Sequence, residues 1–573
     1  MSYDLVVRGG TVVDGSGLPR YRADVGVNGS TIVAVGRIDG AGRREVDADG
    51  LVVTPGFVDG HTHMDAQVFW DPIGSCSCYH GVTSVVMGNC GFSLAPAPEA
   101  QREFVVRNLE RAEDISGDAM AAGIPWSWDN YRSYLDAVDG LPKAINYAAY
   151  VGHSALRTYV MGARAFEEAS SPDDLVAMQR ELRDALHAGA IGMSTSRSTN
   201  HLTPDGLPVA SRLAEWSEVE QLVATMGELG AGLFELANES QVAARDPEAR
   251  AEANARLRRL AVATGVPVTF GVLGAADEQI WRDQLDLLDQ TAAEGGRMFA
   301  QTHCRGVSVL LSFKSRLPFD RLPEWADLRA QPLDVQAELL RRPEVRERLV
   351  RAANEGDYGR AVGAEARKPR NDRIHVLERA HGRNPTLAEL SESSGQDPVE
   401  VMIDLALESK FEIFFQQFPV KPDATAIEAM LKHPRTAMTF SDSGAHVSQI
   451  MDSSIQTDLL AEWVRAREVF TLEEAVRMIT YVPATLWGMA DRGLVREGMA
   501  ADLNVIDPDT IAPQLPELAA DLPAGARRLV QKAQGITATI VGGRTVLTDG
   551  VPTGELPGRL LRGPLARRTA QTS

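Results

Sequence analysis

Two histidines one residue apart close the apolar run in TPGFVDGHTHMD, residues 54–65. Alternate side chains of an extended chain share a face, so His61 and His63 would project together from one strand end while Thr62 turns away. Such a pair can hold an ion between two imidazoles, or it can be two ordinary polar residues in a loop. The rest of the chain decides between these. Further β-like runs end in reactive side chains: Cys90 in TSVVMGNC, His153 in INYAAYVGH, Ser194 and Ser196 in AIGMSTS, Glu235 in AGLFELA, His303 in GRMFAQTH and Asp442 in RTAMTFSD. Only VPVTFGVLG brings nothing polar. Imidazole, thiolate and carboxylate are the normal ligands of Zn²⁺, so these strand ends read as the parts of a metal centre.

Side chains this far apart in sequence can meet only if the runs that carry them are neighbouring strands. From residue 56 onward strand-like and helical patterns alternate, the mark of βα units around a parallel sheet. Eight such runs is the number that closes a (β/α)₈ TIM-like barrel, whose active site lies at the C-terminal strand ends. SSPDDLVAMQRELRDALHAGA illustrates the helices, with Ser171 as cap, Pro172 in the first turn and Gly189 as the stop.

Both chain ends have a different texture, short β-rich runs broken by turn signals such as Asn28-Gly29 and Gly542-Gly543. Neither end alone can bury a two-layer core, so the two are expected to combine into one small discontinuous β-sandwich. The charged helical stretch 312–410 is far too long for a loop and reads as a helical insertion, a lid over the barrel mouth. The expected division of this α/β chain is 1–55 and 491–573 for the sandwich, 56–311 and 411–490 for the barrel, and 312–410 for the insertion.

Over 573 residues the formal charge is −20, which argues against a nucleic-acid partner, because phosphate binding needs a basic patch. No apolar run is long enough for a membrane span, and MSYDLVVRGG lacks the basic-then-apolar pattern of a secretory signal. Four cysteines are too few to staple a chain of this length and suit a reducing, cytoplasmic setting. Cys76 and Cys78 read as small buried residues.

The stretches GFVDGHTHMD, GVTSVVMGNCGFSLAP, VGHSALR, GAIGMSTS and FSDSGAH, with GMAADLNVID near the end, resemble the amidohydrolase superfamily, specifically its N-acyl-D-amino-acid deacylase branch. That resemblance implies a (β/α)₈ barrel with a β-sandwich, one or two zinc ions and hydrolysis of an amide. It also implies that His61 and His63 are metal ligands, Cys90 a bridging or tight-site ligand in place of the modified lysine used elsewhere in the superfamily, and Asp442 the catalytic acid/base. One departure stands out. Where the family's fifth and sixth strands each end in a metal-binding histidine, this chain has Glu235 and, near the second position, Val272 or Leu273. A single ion held by His61, His63 and Asp442, with or without Cys90 and Glu235, is therefore the preferred expectation. The segment TSRSTNH, shared with nearer branch members, makes Arg197 and His201 pocket residues.

In amide hydrolysis Asp442 would move the proton from water to the leaving nitrogen. The remaining assignments are His153 as oxyanion donor or else a buried structural histidine, His446 orienting Asp442 and Asp65 orienting His63, and His303 with Arg305 facing a substrate carboxylate. The expected activity is deacylation of an N-acyl amino acid, of the D series by resemblance. Hydrolysis of a cyclic amide, carbamoyl group or xenobiotic amide, and a metal-free binding protein, are the alternatives. The resemblance also leaves a homo-oligomer open.

Overall fold

Strand Val52–Pro55 joins the two ends of the chain: it runs parallel to Tyr3–Val12 on one side and antiparallel to Leu503–Ile506 on the other. In the computed structural model, which describes residues 2–239, 244, 246–274, 277–359 and 368–567, both chain ends thereby enter one nine-stranded sheet. The valine and isoleucine alternation that marks these runs supplies its core, with Val7, Val25, Val27, Val53, Val505 and Ile540 packed together and buried.

Between the ends lies a second set of strands, all parallel. Phe57–Asp59 pairs with Val82–Met87, which pairs with Asn146–Ala149. The order then continues from Val151–Gly152 through Gly192–Ser196, Leu233–Ala237, Val268–Gly271 and Met298–Thr302 to Thr436–Met438. The last step returns to the first, because Phe440–Ser443 pairs with His61–Thr62. Every residue of Val82–Met87 is buried, as expected of a strand covered on both faces. The connecting helix Pro172–Ala188 has the sequence-expected ends: Ser171 and Asp174 form a capping box, and the chain leaves through Gly189 at positive φ.

The expected helical insertion is helical in Pro323–Arg329, Leu333–Leu340, Pro343–Glu355, Leu387–Ser394 and Pro398–Glu408. At its base is a small antiparallel sheet that the sequence pattern does not announce, in which Ile374–Val376 of the insertion and the flanking Val309–Leu311 both pair with Phe415–Gln417, just beyond the expected bounds. Phe313, Phe319, Trp325, Leu349, Met402 and Phe411 give this segment a core of its own. It touches the strand-end loops through Arg316, whose guanidinium donates to Asp114 at 2.8 Å, and through the Leu310 amide, which donates to the Gln449 carbonyl. No helix among the described residues is long and apolar enough to cross a membrane. All four cysteines are unpaired and buried.

Candidate metal centre

The pairing of the first and eighth strands brings residues 380 positions apart into one pocket. His61 sits opposite Phe440 in register, and the His63 amide donates to the Ser443 carbonyl at 2.7 Å. The register slips between Phe440 and Ser443, and Asp442 adopts a positive φ of 57°. Such a bulge re-aims a side chain. Here it turns the carboxylate onto both imidazoles, with Oδ1 3.1 Å from His63 Nε2 and 3.5 Å from His61 Nε2.

Cys90 reaches the same place from a turn after the second strand in which Gly88, Cys90 and Gly91 all have positive φ. Its Sγ lies 3.5 Å from His61 Nε2. Backbone of this kind persists only where its surroundings hold it. Four side chains do so: Asp65 accepts from the Gly88 amide, Asn89 donates to the Thr62 and Val86 carbonyls, Glu235 accepts from the Cys90 amide at 2.7 Å, and Ser194 accepts from the Gly91 amide. Gly91 cannot carry a side chain, since a Cβ there would meet the Ser196 amide nitrogen at 2.8 Å.

A further carboxylate, Glu113, enters from the loop between the second and third strands, with Oε2 3.6 Å from His63 Nε2. His201 comes from the loop after the fourth strand, its Nδ1 held by Ser196 Oγ at 2.7 Å. Three overlapping triads result, His61–His63–Cys90, Cys90–Glu113–His201 and His63–Glu113–Asp442, each offering ligand atoms within 4.8 Å of one another.

These side chains fit a divalent cation. Both His63 ring nitrogens and Glu113 Oε1 are buried with no hydrogen-bond partner among the described residues, and His63 Nε2 approaches Asp442 without the alignment of a hydrogen bond. Buried polar atoms are ordinarily satisfied, and convergence without hydrogen bonding is what ligands around an ion require. Electrostatics agree. Burial opposes charge on His63, yet Glu113, Asp442 and Asp65 outweigh it and raise its pKa to about 9, so the pocket demands a positive charge. Burial holds the His61 imidazole down at about 4, in the neutral form that ligates. Burial would raise the Asp442 carboxyl, but His63 and His61 hold it well below the usual range. His61 Nδ1 meets Gln301 Oε1 at 2.6 Å, and Gln301 Nε2 donates to Thr269. With its NH₂ facing Thr269, Gln301 presents an acceptor to His61, which places the imidazole proton on Nδ1 and aims the Nε2 lone pair at the pocket.

Residues 44–547 match the amidohydrolase family. This chain belongs to that family. The amidohydrolase is 28% identical over 570 residues to the D-aminoacylase of Alcaligenes xylosoxydans xylosoxydans, covering 98% of this chain and 97% of that protein. It is 29% identical over 583 residues to the N-acyl-D-glutamate deacylase of the same organism, covering 98% and 96%. A solved D-aminoacylase described by its binuclear metal centre aligns with a TM-score of 0.64 at 26% identity, over 98% of this chain and 100% of that one. The N-acyl-D-glutamate deacylase of Bordetella bronchiseptica, complexed with zinc and a phosphonate inhibitor, shares the fold at a TM-score of 0.64 and 24% identity, with 98% and 100% covered. The family resemblance carried by GFVDGHTHMD and its companion motifs is thus borne out.

Not every strand-end residue of this amidohydrolase faces the pocket as a ligand. Glu235 is turned onto the Cys90 amide and belongs to none of the three triads, so it positions the thiol. Asp65 grips the Gly88 amide and makes no hydrogen bond to His63. His446 lies beside Glu113, at 3.9 Å, and its amide donates to the Glu113 carbonyl, so it borders the pocket without holding Asp442.

Two corrections are larger. Arg305 does not present a free fork to substrate: its guanidinium donates to Asp452, Ser454 and the Met451 carbonyl and lies near Asp458. His303 Nδ1 accepts from the Arg305 amide, and its Nε2 faces Asp452 at 3.4 Å. His153 opens the helix His153–Met161, fully buried, with Nδ1 on Thr195 Oγ1 at 2.9 Å and Nε2 on Glu218 at 2.7 Å. With both nitrogens engaged it has no donor left for an oxyanion, and the buried structural reading of this residue is the one the geometry supports.

The His153–Glu218–Arg157 cluster instead braces the wall behind the site. Burial would raise the Glu218 carboxyl, but His153 and Arg157 outweigh it and bring it from 4.5 to about 2. A carboxyl depressed on folding contributes stability above its unfolded pKa and loses it as pH falls through the folded one. Glu218→Gln is therefore expected to cost about 3–5 kcal/mol at neutral pH, because it leaves the Arg157 charge buried and unpaired. The gap to wild type should close as pH falls from about 4.5 toward 2. Urea unfolding across that range measures it, and a constant gap would refute the assignment.

Proposed function

We propose that this amidohydrolase removes the acyl group from an N-acyl-D-amino acid, or a similar N-acyl amino acid, by metal-dependent hydrolysis of a linear amide. What carries this reading is the convergence of His61, His63, Cys90 and Asp442 in one buried pocket, on a chain that matches D-aminoacylase and N-acyl-D-glutamate deacylase along nearly its whole length. Zn²⁺ in this ligand set would supply Lewis acidity toward the amide carbonyl and a water nucleophile near neutral pH.

The chain's own residues do the rest. Asp442, held ionised, takes the proton of the attacking water and returns it to the departing amine nitrogen. Gln301 fixes the His61 tautomer. His61, His63 and Cys90 are buried, so the charges that meet there interact more strongly than they would in water.

Arg197 is the cation we assign to the substrate carboxylate. It follows Ser196, whose hydroxyl holds His201; its Nε pairs with Glu239 at 2.9 Å and its Nη1 donates to the Ala214 carbonyl, so Nη2 is the donor left to offer a substrate. Glu239 also pairs with Arg256, so two guanidiniums share one carboxylate. Arg305 sits in the opposite balance, between Asp452 and Asp458. Loss of a charged hydrogen bond worth roughly 1.5–3 kcal/mol corresponds to about 10–100-fold. Arg197→Ala is accordingly expected to raise KM by that factor with little change in kcat; steady-state kinetics showing the reverse pattern would transfer the role elsewhere.

We further read the parallel strands as a closed (β/α)₈ barrel spanning 56–311 and 411–490. The terminal sheet is then a discontinuous β-sandwich built from 1–55 and 491–573, and 312–410 a lid tied to the rim by Arg316 and Asp114. Four unpaired thiols suit the cytoplasm. The test of function is a panel of N-acetyl-D-methionine, its L enantiomer and cyclic imides, with metal content measured on the same protein. Release of acetate from the D compound alone is expected. Faster turnover of cyclic imides, or full activity in metal-free protein, overturns the reading.

A further inference from the structure

Two guanidiniums leave one point of the rim. Arg197 follows Ser196 at the end of the fourth strand. Arg212 follows Ser211, whose Oγ accepts from the Ser196 amide and donates to the Ser196 carbonyl, each at 3.3 Å. These bonds pin the short helical turn Ala210–Leu213 against the strand end, so Arg197 and Arg212 start side by side. Arg212 Nη1 donates to the His201 carbonyl at 3.0 Å, and the His201 ring belongs to the ion pocket, which the pair of arginines therefore borders.

Their charges are not balanced. The carboxylate of Glu239 pairs with Arg197 and is shared with Arg256. Arg212 has no carboxylate partner among the described residues; burial and the Arg197 charge both push its pKa down, and no acid offsets them. Three guanidiniums thus stand around one carboxylate, on a chain whose formal charge is −20. Charges withdrawn from water are ordinarily paired, so an anion is missing beside Arg212.

We propose that Arg197 and Arg212 together bind a substrate with two carboxylates, Arg197 taking the one beside the acylated nitrogen and Arg212 the second. The uncommitted donors fit. Arg197 offers Nη2, while Arg212 offers Nε and Nη2 on one edge of its guanidinium, a paired set that matches the two oxygens of a carboxylate. An N-acyl amino acid with a neutral side chain and a neutral acyl group would leave Arg212 without its counter-charge. The second carboxylate belongs to the side chain or to the far end of the acyl group, and the chemistry that recognises it is the same.

This inference rests on the deacylase reading, and a substrate series separates the two. Full-length, zinc-loaded wild type, Arg212→Ala and Arg212→Gln are assayed on N-acetyl-D-methionine, N-acetyl-D-aspartate, N-acetyl-D-glutamate and N-succinyl-D-alanine. Wild type is expected to favour at least one dicarboxylate over the methionine compound by about 10–100-fold in kcat/KM, and each variant to lose that preference through a higher KM, as removal of a charged hydrogen bond predicts. Whether the acidic side chains or the succinyl group lead shows which end carries the second carboxylate. Equal or better turnover of the methionine compound by wild type, or an unchanged preference in the variants, overturns the second subsite while leaving the deacylase reading intact. No turnover of any of the four overturns both. Should alanine disturb the circular dichroism, glutamine and the wild-type order of substrates still decide.

Discussion

Asp442→Asn is expected to lower kcat/KM for an N-acyl-D-amino acid by about 10²–10⁴-fold, the usual worth of a positioned general acid/base, with the fold intact. Asparagine keeps the size of the side chain and, like aspartate, tolerates the left-handed backbone at φ 57° that the bulge imposes. What it lacks is charge. The Asp442 oxygen stands between two imidazole nitrogens at 3.1 and 3.5 Å, and only an ionised carboxylate there can accept a proton from water and then give it to the amine. A drop in kcat and kcat/KM together marks a role confined to the transition state, whereas a rise in KM alone would mark a binding role. Wild-type kinetics in the asparagine variant would remove Asp442 from the chemistry.

The residues that could be found from sequence are those for which strand geometry does the work. His61, His63, Cys90 and Asp442 sit at or just beyond strand ends, and parallel strands must bring their C-terminal ends to one rim. Two kinds of information stayed hidden. The first is the difference between a ligand and a residue that holds a ligand's loop. Glu235 and Asp65 are where strand logic puts them, yet each spends its carboxylate on a backbone amide of the Gly88–Gly91 turn, whose positive φ angles are a tertiary fact. Arg305 and His153 likewise found buried counter-charges, Asp452 and Glu218, that lie far away in sequence. The second is residues off the strand ends. Glu113 in ERAEDIS looks like one more acid of a solvated face, and only the length of the loop between the second and third strands hinted that it returns over the rim. Gln301, two residues before His303, shows that the informative position in GRMFAQTH lay inside the strand.

The other large effect is expected from His61→Ala: loss of the ion bound with His63 and Asp442, and with it turnover down to background. His61 is tied to three strands at once. It lies in the first, its Nδ1 meets Gln301 of the seventh, and its Nε2 faces both Asp442 of the eighth and Cys90. Removing the ring therefore deletes a ligand and the spacer between a thiol and a carboxylate, which would otherwise repel once both are ionised. Gln301→Ala should give a graded version of the same defect, about 10–100-fold weaker metal affinity, because it frees the tautomer and tilt of an imidazole that remains present. Metal content against added Zn²⁺ distinguishes them: the glutamine variant recovers at high zinc and His61→Ala does not. Equal behaviour of the two variants would mean that the Gln301 contact only packs the strand. An active His61→Ala protein would remove the paired imidazoles from the centre of the mechanism.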